Sequence, residues 1–165
     1  MLAAMALAGC SQKIVVCPVP AILADTNTIT VMRPGTTPDI ANELFTVTLT
    51  DAEGDCVYNQ TTQVVRASLE LTFHATRAPS RDAATYSVPY FVVVHENNKI
   101  FSKRLYTLKV SFAPGAATAD IKQSPEDSAI KISAGKMPWN YQEMAGFQLT
   151  QEQIAYNKSK VRYLP

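Results

Sequence analysis

The chain has 165 residues, 47% hydrophobic and 18% charged, with 15 basic against 14 acidic side chains. That is enough chain for one domain with a proper core and too apolar for a disordered segment; a net charge of +1 gives no global field to recruit nucleic acid or to make a polybasic membrane binder. No apolar run approaches the ~20 residues of a membrane-spanning helix, which removes integral channels and transporters.

Met1 to Leu7 is uncharged and apolar and leads into Ala8-Gly9-Cys10 and Ser11-Gln12. A short apolar segment ending in small residues has the form of an export signal, not of a folded element. Leu7-Ala8-Gly9-Cys10 resembles the lipobox of bacterial lipoproteins. The resemblance implies that residues 1–9 are a signal peptide and that Cys10 becomes the first mature residue, acylated on its sulfur and its amino group. Ser11, in place of Asp, then implies sorting to the outer membrane, facing the periplasm. Several acyl chains, at ~0.8 kcal/mol per buried methylene, hold a protein stably on a bilayer. Residues 10–16 would form a short tether, its part from Ser11 to Val16 spanning at most ~20 Å. The domain, residues 17–165, is therefore expected close to the lipid, as suits a tethered partner better than a roaming enzyme.

Three cysteines are an awkward number in an exported protein. Lipidation of Cys10 leaves Cys17 and Cys56 as an even pair in a compartment where disulfides persist. No Cys-x-x-Cys and no zinc spacing surrounds them. A structural disulfide pinning the start of the domain is the expectation, two buried free thiols the alternative.

The remaining chain reads as strands separated by turn residues. Ile29 and Val31 alternate with threonines before Arg33-Pro34-Gly35; Phe45, Val47 and Leu49 alternate with Thr46, Thr48 and Thr50. Asp51 to Asp55 reads as a turn leading into Cys56. Leu69, Leu71 and Phe73 alternate with Glu70, Thr72 and His74, and Tyr90 to Val94 is apolar throughout, as in a central strand. Asn97-Asn98 tolerates a tight hairpin turn that sets Glu96 opposite Lys99. In the return strand Phe101 and Leu105 are odd while Tyr106, Leu108, Val110 and Phe112 are even, which predicts a bulge near Leu105. Ile130 and Ile132 flank Lys131, and Tyr141 to Leu149 reads as a last strand interrupted by Gly146. Thr150-Gln151-Glu152-Gln153 fits a capping box opening one short helix through about Lys158, with Lys158, Lys160 and Arg162 near its end suiting the helix dipole. About seven to nine short strands without intervening helices predict an all-β, immunoglobulin-like sandwich with one C-terminal helix.

Catalytic motifs are missing from the sequence: no nucleophile elbow, zinc-protease motif, phosphate loop or dinucleotide fingerprint. No catalytic residue, metal ligand or small-molecule cofactor is expected. Glu70 and His74 share a strand face, but that alternation is the ordinary solvent face, and His95 sits alone on another strand. Asp51, Glu53 and Asp55 suit a turn better than a calcium loop, lacking its distal glutamate. Trp139, Tyr141 and Phe147, with Met137, Pro138, Met144 and Gly146 nearby, form an aromatic cluster. It fits an interface anchor or, more ordinarily, the closure of the sandwich core. The sequence therefore points to a non-enzymatic, lipid-anchored component that docks on an envelope protein complex. A periplasmic domain that binds carbohydrate or metal, or that hydrolyses a substrate, is the alternative.

Overall fold

The computed structural model describes residues 17–161. Cys10, the 1–9 signal segment, the 10–16 tether and residues 162–165, Arg162 among them, lie outside the described residues. The chain forms β1 (Val19–Ile22), β2 (Thr28–Met32), β3 (Glu43–Asn59), β4 (Val64–Thr76), β5 (Ala84–Glu96), β6 (Lys99–Phe112), β7 (Thr118–Gln123), β8 (Ser128–Lys131), β9 (Gln142–Phe147) and α1 (Gln151–Val161). The first sheet runs β1-β9-β5-β6; the second runs β2-β3-β4-β7, with β8 also paired to β4. It is an all-β sandwich with one short C-terminal helix, as the strand spacing predicts. Every described pairing is antiparallel except β1 with β9.

The expected turn at Asp51 to Asp55 is absent. β3 runs straight through it for 17 residues, because the register shifts between Leu49 and Asp51 and leaves Thr50 as a bulge. Before the bulge Phe45, Val47 and Leu49 point inward; after it Ala52, Cys56 and Tyr58 do, while Asp51, Glu53 and Asp55 are exposed. One extra residue reverses the phase of a period-two strand, so acidic side chains that look like a turn lie on a solvated face.

β6 differs from expectation in the opposite sense. Pairing with β5 is regular from Phe112 down to Ser102, passing Leu105 opposite Phe91 without a break. The irregularity lies between Val94 and His95, where Phe101 is the unpaired extra residue. Leu105 simply points outward and is 64% exposed. The hairpin forms as expected, with Glu96 opposite Lys99 and Asn97 at φ 50°. The Glu96 carboxylate, however, is paired at 2.6 Å with Lys136, and Lys99 lies over the Phe101 ring instead.

Between the sheets lies one main core, in which Phe73 packs edge-on to Tyr90 and tilted to Phe147, and Phe45 stacks on Tyr86 at 4.4 Å. A second, smaller cluster of Val65, Val94, Ile130, Ile132 and Tyr141 closes one end, where Cys17 is bonded to Cys56. The opposite end is closed by Arg77. Its guanidinium donates to the carbonyls of Ala116, Asp82 and Ala113 and lies 4.7 Å over the Phe112 ring, tying the β4–β5 and β6–β7 connections together. Gly146 does not interrupt β9. It is buried within that strand, and a Cβ there would overlap the Thr26 hydroxyl of the 3-10 helix Ala24–Thr26. Thr150 and Gln153 cap α1 reciprocally, at 3.2 and 2.9 Å, and the helix continues to Val161. Tyr156 and Lys160 both bond the Glu43 carboxylate, holding α1 against the β2 edge.

Candidate functional site

Each residue singled out in the sequence now has a place. Cys17 and Cys56 are joined at 2.03 Å, linking the segment before β1 to β3. Trp139, Tyr141 and Phe147 do not form one surface. Tyr141 and Phe147 are fully buried, in the second cluster and in the main core respectively, and neither is available as an interface anchor. The Tyr141 hydroxyl accepts from the Ser133 amide at 3.0 Å and donates to the Ser133 hydroxyl at 3.2 Å. Trp139 lies on the 3-10 helix Pro138–Asn140; Pro138 is buried beneath it and Trp139 is 43% exposed. Burial separates residues that look alike in the sequence.

The polar candidates are engaged with each other. His74 Nδ1 meets Asp120 at 2.6 Å and Glu70 takes the Lys122 ammonium at 2.5 Å, both on the outer face of the β4–β7 pair. The Lys122 amine is held above its ordinary value by its hydrogen bond to Glu70, with Glu53 and Asp51 adding to it. Among the described residues no group of three His, Cys, Asp or Glu side chains is arranged to hold a metal ion. One carboxylate is unusual. Glu143, on the inner face of β9 opposite Val94, is 3% exposed. Burial pushes its carboxyl up, with Asp127 adding to it, while the Ser128 hydroxyl and Arg104 oppose. Arg104 reaches Glu126 at 3.7 Å and the Asp127 carbonyl at 3.3 Å, which fixes the β7–β8 connection over the buried acid. A groove of 540 Å³ lies between α1 and the 3-10 helix Ala24–Thr26, with Asn157 bridging it to the Thr28 carbonyl.

Exposure picks out two surfaces. Among the described residues eight large apolar side chains stand in solvent: Val19, Ile40, Val57, Ile100, Phe101, Leu105, Met137 and Trp139. Six of them gather at the end where Cys17 begins the described chain. Val19, Gln142, His95 and Ile100 form one row across the first sheet. Phe101 packs on Tyr141 at 5.3 Å, Met137 and Trp139 immediately precede that tyrosine, and Val57 follows Cys56. Charge segregates the same way. Segments 55–66, 95–101 and 130–141, which build this end, hold Arg66, Lys99, Lys131 and Lys136 against Asp55 and Glu96, while the whole chain nets only +1.

The second surface is the outer face of the first sheet, centred on β5 and the edge strand β6. Phe91 and Val93 alternate with core residues and belong to neither core cluster, so they face outward, yet they are covered and only 7% and 6% exposed. The Lys103 ammonium covers Phe91 at 4.5 Å, and Leu105 stands beside it. The 3-10 helix Ala24–Thr26 lies over this face at Gly146, the partner of Phe91 on β9. Phe101 and Leu105 were legible only as an anomaly, large apolar residues off the phase of the rest of their strand, while nothing in the pattern marked Ile100.

These features define a disulfide-pinned all-β sandwich with an apolar end and an exposed leucine on its edge strand. Comparison with protein-family models, curated proteins and solved structures finds no match to this chain.

Proposed function

We propose that this chain is a non-enzymatic envelope lipoprotein, held on the periplasmic side of the outer membrane through acylated Cys10, that docks its sandwich on a membrane protein complex. The observation that carries the docking is Leu105, 64% exposed in the middle of a 14-residue edge strand and next to outward-facing Phe91. Lys103 and Lys109 flank it on the same face, and neither is paired with a carboxylate among the described residues. Lysines on an edge strand also guard against indiscriminate strand pairing. The partner that fits is a protein with an apolar patch and an acidic rim, reached by a domain whose tether leaves it near the lipid.

Affinity purification of the tagged protein in mild detergent tests this. A stoichiometric envelope protein is expected, and Leu105→Glu should release it without changing the melting temperature, since an anchor at an interface centre costs at least ~2 kcal/mol of binding. A monomer carrying a bound small molecule, or a partner indifferent to Leu105→Glu, would contradict the docking.

A further inference from the structure

We infer that the Cys17 end of the sandwich is a membrane-resting surface, inserting Trp139, Met137, Ile100 and Phe101 among the headgroups of an anionic bilayer while Lys99 and Lys136 meet its phosphates. The inference deepens the anchored reading and rests on it for direction. Cys10 and Cys17 are seven positions apart, so the link reaches at most about 25 Å. β5, with 13 residues, spans about 44 Å. The tether is thus too short to let the Arg77 end serve as the lipid-facing end of an upright domain, whereas the Cys17 end is beside it.

The surface has the chemistry of a bilayer interface. Trp139, on its short 3-10 helix, presents an apolar ring carrying one polar N–H, the amphipathic character that places Trp at headgroup depth. Ile100 and Met137, at the same end, are 65% and 39% exposed. Lys99 lies across the Phe101 ring at 4.8 Å, its stem on the apolar patch and its ammonium at the rim. Lys136 shares its charge with Glu96, but Arg66 and Lys131 add theirs. Such local positive charge is drawn to anionic lipid within about a Debye length.

Trp139 is the one tryptophan of the chain, so its emission reports this surface alone. The purified full chain is mixed with vesicles of phosphatidylethanolamine and phosphatidylglycerol carrying brominated acyl chains, and its acylation is read by mass on the same sample. Trp139 emission should shift to the blue and fall at least twofold. Lys99→Gln with Lys136→Gln should weaken the quenching in unacylated chain, and Ile100→Ser should reduce it with an unchanged melt. If mass shows no acyl group, the anchored reading fails; the surface should still give salt-sensitive quenching on the same vesicles. Protein that sediments with vesicles while Trp139 is unquenched overturns the inference, as does absence of quenching in both forms.

Discussion

The two ends of the sandwich satisfy their surroundings in opposite ways. At the Arg77 end one guanidinium supplies bonds to three main-chain carbonyls and a ring face, so the connections close on themselves. Ile40 is the large apolar side chain exposed in the connections there. At the Cys17 end the backbone is pinned by a disulfide and a buried tyrosine, yet Trp139, Ile100 and Val57 are left in solvent above that rigid base. Exposed apolar side chains on a well-fixed frame are the mark of a surface meant to be covered, in contrast to a loosely packed core.

The sharpest way to break this contrast is to exchange its two aromatic residues. Tyr141→Ala should remove about 3–5 kcal/mol of stability by opening a cavity in the second cluster, plus about 1 kcal/mol for the lost Ser133 bonds. Trp139→Ala, two positions away, should change stability by about 0.5 kcal/mol or less. Thermal melts of the two variants check this; comparable losses would mean that Trp139 belongs to the core.

Next in size is the disulfide. Its cysteines are 39 positions apart, and closing such a loop contributes about 4 kcal/mol in the chain-entropy model. Cys56→Ala, or reductant, should lower the melting temperature and loosen the Cys17 end first. Hydrogen exchange should register this as faster exchange in β8 and β9 than in β7. Uniform loss across the sandwich would remove the disulfide as a local pin.

The smallest expected effect has the opposite sign. Glu143 titrates above its ordinary value of 4.5 because it is buried. The native state therefore holds this proton more tightly than the unfolded chain. The stability this gives is complete below the unfolded pKa and is lost as pH rises through the folded one. Glu143→Gln should accordingly raise the melting temperature at neutral pH, and the gain should shrink on acidification. A variant less stable than wild type at neutral pH would show that the ionised carboxylate is needed in place.

The sandwich was legible because its inward positions alternate so regularly: Phe45-Val47-Leu49 and Leu69-Leu71-Phe73 each line one face. Two phase changes were misplaced for different reasons: in β6 an exposed Leu105 mimics a shift of phase, and in β3 a bulge reads as a turn. A bulge and a turn leave the same mark on hydrophobic periodicity, and only pairing with a neighbouring strand tells Thr50 in β3 from a reversal of the chain. β1 escaped notice because Pro18 and Pro20 mask a strand that pairs only along one edge, parallel to β9. The apolar surface was half legible. Trp139 stood out by composition, but Tyr141 and Phe147 are indistinguishable from it until burial is known. Net charge concealed the rest, since +1 overall is compatible with lysines gathered at one end.

The proposed anchoring through Cys10 is tested by metabolic labelling with an alkyne fatty acid. Wild type and Cys10→Ser are compared in membrane fractions washed at high salt, which screens the lysine contacts of the Cys17 end. Labelled wild type should remain in the membrane fraction, while Cys10→Ser should be unlabelled and released. Unlabelled wild type, or Cys10→Ser retained through the wash as firmly as wild type, would contradict the account.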